Sequence, residues 1–130
     1  MKKSPSKQAH DERGQATMEA AIALPIVLLI VFAIINFAIV WNHYETLTDA
    51  VRAAARAAST CRFGGNAGAA FSAAATDLDA SKRTFTTVPP TCPGAGLSIT
   101  ATGTYPYSIN VMGLVVKSGT LSSSSTVTVE

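Results

Sequence analysis

Three residues near the start of the chain have the types and spacing needed for a cleavage followed by a charge pairing. Gly14 is followed by Gln15, and Glu19 lies five residues past the glycine. If a peptidase cuts after Gly14, Gln15 becomes a new N-terminus with a free amine, and Glu19 is the fifth residue, about one helical turn away. Because an unpaired carboxylate is costly in an apolar bundle, Glu19 would pair with a neighbouring subunit's terminal ammonium and fix the register. The spacing therefore indicates processing and assembly.

Glu19 also has a simpler interpretation that needs no cleavage. An acidic residue in the first turn of a helix interacts favourably with the helix dipole. At the end of a membrane segment its carboxylate also reaches the interface. The charged leader before Gly14 and the apolar run after Glu19 favour the processing hypothesis.

Residues 20–41 form an uncharged apolar run that predicts a transmembrane helix. As a helix the run spans about 33 Å, close to the roughly 30 Å of a bilayer's hydrocarbon core. It is longer than the apolar region of a secretory signal peptide, which has about 7–15 residues. Pro25 interrupts the run and predicts a mild kink of the membrane helix. The alternative is that the helix unwinds at Pro25 while it is extracted from the bilayer.

The distribution of charge predicts how the chain is oriented. Residues 1–14 hold four basic and two acidic residues, a net charge of +2, which equals the net charge of the whole chain. Since Lys and Arg accumulate on the cytoplasmic side, the N-terminus should be cytoplasmic and the C-terminal part extracytoplasmic. Trp41 and Tyr44 suit the aromatic belt at the outer interface. The neutral remainder of the chain argues against a nucleic-acid partner.

The helical pattern continues beyond the membrane run. Apolar residues recur at spacings of four and three, and charged residues follow the same rhythm on another face. The apolar stripe is Leu47, Val51, Ala54, Ala58 and Cys61, and the charged stripe is Glu45, Asp49, Arg52 and Arg56. We therefore expect one helix from about residue 15 to about residue 59. Its apolar stripe would pack either on the chain's own domain or, through its small residues, on a neighbouring subunit.

The sequence after residue 60 predicts a small domain, so that the fold class is α+β. An alanine-rich segment at 67–80 is expected to form a second helix, with Phe71, Ala75 and Leu78 on one side. Strand patterns at 84–88, 97–103 and 120–129 would form an antiparallel sheet of about three strands on the long helix. Tyr105-Pro106-Tyr107 is expected to break the second strand, and residues 109–116 to form a short helix or a bent strand.

Cys61 and Cys92 both follow the membrane run. In an extracytoplasmic domain two cysteines usually pair, so we expect a disulfide, with two free thiols as the alternative. Catalytic chemistry is not expected. His10 and His43 are far apart, which excludes a metal site built on them, and no cofactor motif is recognised. The chain is therefore expected to be no enzyme.

Two sequence blocks resemble a known family. Residues 13–21, RGQATMEAA, followed by Leu24-Pro25, are similar to the N-terminal block of the TadE-like pseudopilins, minor pilins of the Tad (type IVc) pilus system. Residues 49–58, DAVRAAARAA, resemble that family's second block. The glycine, four residues and a glutamate before an apolar helix also resemble the class III leader of type IV prepilins. The resemblance covers roughly residues 13–60, under half of the chain.

The resemblance implies a division of the chain and a role. Residues 1–14 would be a cytoplasmic leader, 15–60 the TadE-like helix, and 61–130 an extracytoplasmic α+β domain. A membrane-embedded prepilin peptidase would cut between Gly14 and Gln15. The mature protein, in the inner membrane or in a surface pilus, would act with other pilins and inner-membrane assembly proteins in adhesion.

The major Flp-type pilins place Tyr after the glutamate and have little beyond the helix. Here Ala20 follows Glu19 and a sizeable domain follows the helix, which favours an accessory pseudopilin. Two alternatives stay open. One is an uncleaved single-pass membrane protein with an extracytoplasmic binding domain. The other is a small secreted domain released by signal peptidase.

Overall fold

The computed structural model of the chain describes residues 6–111 and 113–130, with side-chain positions from residue 14 onward. A long helix α1 (Ser6–Ser59) is followed by a short 3-10 turn (Cys61–Phe63) and a second helix α2 (Ala67–Ala74). Three strands complete the chain: β1 (Thr84–Val88), β2 (Ser98–Val111) and β3 (Leu114–Thr128). The predicted α+β fold class, with a second helix and a three-stranded antiparallel sheet, is confirmed.

Helix α1 begins earlier than the sequence pattern predicted. It starts at Ser6 and passes through Gly14 without a break, so the expected start at about residue 15 was wrong. The segment before Gly14 is rich in Lys, Gln, Ala, Glu and Arg, which favour a helix, and one interior glycine costs only about 1 kcal/mol. The predicted end at Ser59 is confirmed. With 54 residues, α1 is about 80 Å long.

The C-terminal part of α1 forms one wall of the hydrophobic core. Its buried residues recur at helical spacing and are Leu47, Ala50, Val51, Ala54, Ala55 and Ala58. They pack against α2 and the inner face of the sheet. Of the two packing arrangements left open by the sequence, the structure therefore shows the one in which the apolar stripe covers the chain's own domain.

Helix α2 is shorter than predicted. Asn66 caps its N-terminus by accepting a hydrogen bond from the Ala69 backbone N–H at 3.0 Å. The helix ends at Ala74 and not at residue 80, and beyond it the Ala75 carbonyl accepts from the Leu78 backbone N–H at 3.2 Å and from the Arg83 guanidinium. Leu78 still reaches the core beside Phe71, as the predicted apolar side required.

The sheet has the order β1-β2-β3, with both pairs antiparallel. Strand β1 pairs with β2 from Thr84↔Thr104 to Val88↔Thr100, and β3 pairs with β2 along its full length. Alternate residues of β2 face α1, namely Ile99, Ala101, Gly103 and Tyr105. This alternation is that of a sheet with one buried face and one solvated face.

Two predictions about the end of the sheet were wrong. Tyr105-Pro106-Tyr107 does not break β2, because β1 pairs with β2 only as far as Thr104. Pro106 therefore lies where one edge of β2 has no neighbouring strand, and its missing N–H breaks no ladder on that side. Residues 109–111 and 113–116 form neither a short helix nor a single bent strand. They are the tip of the β2–β3 hairpin, with Gly113 at φ 87° between the two strands.

Candidate functional site

The N-terminal part of α1 presents Gly14, Gln15 and Glu19 on an exposed helix. An added Cβ at Gly14 would meet no described atom within 4 Å, so the backbone is open at this point. Gln15 and Glu19 are four residues apart, and in a helix this spacing puts both side chains on one face with a rise of about 6 Å. The arrangement places the predicted new N-terminus and the predicted acid one above the other.

Past Glu19, α1 exposes a continuous apolar surface. Apart from the half-buried Val40, its large hydrophobic residues from Met18 to Trp41 are 41–71% exposed, and the most apolar 18-residue window is covered by no other described part of the chain. This exposed surface is far longer than the apolar patches of soluble monomers. By its length and composition, this helix is able to cross a membrane.

The polar side chain of Asn36, inside the apolar part of α1, finds its hydrogen-bond partner within the same helix. The Asn36 side-chain amide donates to the Phe32 carbonyl at 2.9 Å. In hydrocarbon such a hydrogen bond matters, because no water satisfies the amide.

Pro25 lies inside α1, which is helical on both sides of it, and it removes the donor for the Ala21 carbonyl. A kink at Pro25 stays a prediction.

Aromatic residues mark the far end of the apolar surface. The rings of Phe37, Trp41 and Tyr44 follow one another with centroid distances of 6.1 Å for both successive pairs. The indole N–H of Trp41 donates to a Glu45 carboxylate oxygen at 3.0 Å. An aromatic residue with one polar bond at the end of an apolar helix is typical of a membrane interface.

Beyond the aromatic residues, one face of α1 is turned away from the domain and carries charge. Asp49 and Arg52 form an ion pair at 3.4 Å, and Arg56 is exposed. Because both side chains of the pair are mostly exposed, its contribution to stability is small. A shallow groove follows this face, lined by Trp41, Tyr44, Glu45, Thr48, Asp49 and Arg52. The charged side chains on this face are exposed.

The two cysteines lie together at the junction between α1 and the domain. In the structure Cys61 and Cys92 are bonded as a disulfide with a Cα–Cα distance of 5.8 Å. The bridge closes a segment of 31 residues that contains α2 and β1. It ties the loop between β1 and β2 to the turn that follows α1.

Two other titratable residues, Asp79 and His43, make contacts within the fold. Hydrogen bonds from the Ser81 side chain and backbone, with the nearby Lys82 ammonium, lower the pKa of Asp79. Asp79 thus shapes an exposed turn. His43 packs edge-on against the Tyr105 ring at 5.3 Å, a contact that the sequence pattern did not reveal. Among the residues whose side chains are described, no three His, Cys, Asp or Glu residues are grouped to hold a metal, and His10 lies outside them.

Comparison with known proteins places this helix in a family. The model of the family described as TadE-like protein matches residues 14–56, about a third of the chain. No curated protein and no solved structure matches the chain. The matched region begins at Gly14 and contains the apolar run and most of the domain-packed part of α1. Together with the apolar helix, it indicates a single-pass membrane protein. Residues 14–56 are thus similar to the TadE-like protein family, which supports a pilin-related protein of Tad systems.

Proposed function

We propose that this protein is a minor pilin, or pseudopilin, that helps to assemble a Tad (Flp-type) pilus for surface adhesion after cleavage between Gly14 and Gln15. Its role is structural and not enzymatic. The observation that carries the proposal is that the region similar to TadE-like proteins begins at Gly14. Glu19 follows five residues later, directly before the exposed apolar part of the helix. A plain membrane anchor has no need of this combination.

The first step is removal of the leader by a prepilin peptidase on the cytoplasmic side of the inner membrane. The Gly14–Gln15 peptide lies in an exposed stretch of α1. Its N–H and C=O groups must leave the helical hydrogen bonds to enter a protease site. Gly14 lowers the cost of this unwinding, because glycine destabilises a helix by about 1 kcal/mol relative to alanine.

The second step is assembly with other pilins, pseudopilins and the inner-membrane assembly proteins. A new ammonium at Gln15 and the Glu19 carboxylate would pair between neighbouring subunits inside an apolar bundle. A buried pair of this kind fixes register, because leaving either charge unpaired is strongly unfavourable. The exposed apolar surface between Met18 and Trp41 supplies the helix–helix contacts of that bundle.

Intact-mass measurement of the protein extracted from membranes tests the processing step. We expect a chain that begins at Gln15 and lacks residues 1–14. Gly14→Ala should leave the leader attached and abolish pilus assembly, because a side chain then stands next to the scissile bond. Gly68→Ala, in the exposed part of α2, is the matched control and should be processed normally. Normal processing and piliation of Gly14→Ala would refute the proposal.

The register role of Glu19 is tested separately. Glu19→Ala should be cleaved normally but fail to enter fibres, because the new ammonium then lacks its partner. Glu45→Ala removes an exposed acid from the outer part of the same helix and serves as control. If Glu19→Ala enters fibres as well as the wild type, the register role fails even though cleavage stands.

The alternative is an uncleaved single-pass membrane protein whose domain binds a partner outside the cytoplasm. One observation favours it: α1 is helical through the proposed cleavage site. The same mass measurement separates the two functions. A chain that keeps Met1 in a strain with active Tad pili would support the alternative.

A further inference from the structure

The β2–β3 hairpin follows α1 toward the membrane. Ile99 packs with Ala58 near the end of α1, and Tyr105 contacts His43 fifteen residues earlier on the helix. The step of six residues along β2 from Ile99 to Tyr105 spans about 20 Å. The corresponding step of fifteen residues along α1, from Ala58 to His43, spans about 22 Å. The two elements therefore run side by side in opposite directions, so that β2 approaches the membrane segment as its residue numbers rise.

The contact between the hairpin and α1 continues into the apolar run. A cavity of about 150 Å³ separates them, lined on the helix by Asn36, Ile39 and Val40 and on the strand by Tyr107 and Ser108. These helix residues belong to the run at 20–41. From Ser108, β2 continues for three residues to Val111, about 10 Å further along its direction. The end of the hairpin is thus level with the outer half of the membrane segment.

The end of the hairpin is apolar and uncovered. Leu114, Val115 and Val116 are 74%, 63% and 67% exposed, and they are consecutive. Elsewhere outside α1, the exposed large hydrophobic residues of the described chain are isolated ones, such as Phe63 and Val88. The remainder of β3 is dominated by Ser and Thr, so the apolar character is confined to the end nearest the membrane.

Polar residues border this apolar end on the side of the domain. Lys117 follows Val116 directly, and Lys82 and Tyr107 line the cavity further up. Lysine and tyrosine place an apolar stem or ring toward lipid and a polar end among headgroups. The order along the hairpin is therefore polar strand, lysine and tyrosine, then apolar tip, which matches the order of environments on entering a bilayer.

We propose that the hairpin tip, defined as residues 109–111 and 113–116, is a second membrane contact that inserts into the leaflet on the side of the domain, beside α1. The insertion is shallow, because the outer edges of a two-stranded tip carry unpaired backbone groups that are costly in hydrocarbon. Leu114, Val115 and Val116 reach the boundary between headgroups and acyl chains, while Lys117 stays among the headgroups. The tip holds the domain in one orientation on the membrane.

Tryptophan quenching by brominated lipids tests this insertion in the full-length protein. The chain has a single tryptophan, so Trp41→Phe provides a silent background. In it, Val115→Trp reports on the tip and Ser124→Trp, an exposed position on the same strand, is the matched control. The protein is reconstituted at a high lipid-to-protein ratio in phosphatidylcholine and phosphatidylglycerol vesicles whose acyl chains are brominated near the headgroup. We expect quenching for Val115→Trp close to that of wild-type Trp41, and little for Ser124→Trp.

Two results would overturn the proposal. One is equal quenching of Val115→Trp and Ser124→Trp. The other is a blue-shifted emission of Val115→Trp without quenching, which would mean that a second copy of the chain covers the tip. An intact Cys61–Cys92 disulfide, checked by mass, ensures that both variants are folded. The measurement does not depend on whether the leader is cleaved, so its failure leaves the proposed function untouched.

Discussion

At the scale of single residues, Gly103 determines how closely the sheet approaches α1. A Cβ at this position would lie 2.7 Å from Val51 Cγ2, 3.0 Å from Phe71 Cε2 and 3.1 Å from Leu47 Cδ1. All three neighbours are buried and have little room to move aside. Gly103 is therefore required because it has no side chain.

We expect Gly103→Ala to lower the free energy of unfolding of the domain by about 1–3 kcal/mol, the usual cost of overpacking a core. Thermal unfolding of the purified protein in detergent micelles, with the disulfide intact, measures the change. Gly68→Ala is the control, because a Cβ there would make only an ordinary contact of 3.6 Å with Asn66 Oδ1. Equal melting temperatures for the two variants would contradict the close packing at Gly103.

The disulfide supplies a second prediction at this scale. Replacing both Cys61 and Cys92 by serine frees a 31-residue segment in the unfolded chain. Loop-closure entropy then predicts a loss of roughly 3–4 kcal/mol of stability. Denaturant unfolding of the double variant, compared with wild type with and without reductant, checks this value. Protein that is extracted from membranes with two alkylatable thiols would contradict both the bridge and the extracytoplasmic location of the domain.

At the scale of elements, α1 does two different jobs along its length. Its part within residues 20–41 is exposed and apolar, and its part from Leu47 to Ala58 is buried by the domain. One continuous helix therefore connects the membrane to the domain. A substitution in the apolar run before its contact with the hairpin at Asn36 should therefore leave the domain unaffected.

The two parts are separated by a pair of matched truncations. Leu47→Ala removes a fully buried side chain and should destabilise the domain by about 2–5 kcal/mol. Ile34→Ala removes a similar volume from the exposed apolar part and should leave domain unfolding unchanged. Thermal unfolding in micelles, followed by near-ultraviolet circular dichroism of the domain, is the measurement. Similar losses in both variants would show that the stability of the domain also depends on the part of α1 before its contact with the hairpin.

Local patterns made some elements predictable and left others out of reach. The sequence alone reveals two local signals within one helix. One is the apolar stripe from Leu47 to Ala58, which recurs at helical spacing, and the other is the short spacing between Gly14 and Glu19. Just past the end of α2, by contrast, the Ala75 carbonyl accepts from the Arg83 guanidinium, which is eight residues away. The passage of β2 through Pro106 likewise depends on where β1 stops pairing. Contacts between residues that are distant in the sequence leave no pattern in a short stretch of it, so they could not be predicted.

At the scale of the whole molecule, two surfaces are left for other partners. The apolar helix surface is long enough to meet lipid, and in the proposed fibre it would pack on other helices, while the charged face at Asp49, Arg52 and Arg56 is turned away from the domain. The domain itself covers only one side of α1. A subunit of this shape is able to pack helix against helix and keep its domain outside the bundle, which is the geometry that the proposed pilin role needs.

The orientation of the molecule gives a final prediction. Four of the ten basic residues lie in the 14-residue leader, so the positive-inside rule places the leader in the cytoplasm and the domain on the opposite side. We expect Ser124→Cys to react with a membrane-impermeant maleimide in intact spheroplasts. Val31→Cys, within the membrane segment, is the control and should react only after detergent is added. Labelling of Ser124→Cys only after the cells are lysed would place the domain in the cytoplasm. It would also remove the basis for cleavage of the leader on the cytoplasmic side, because the leader would then lie on the opposite face of the membrane.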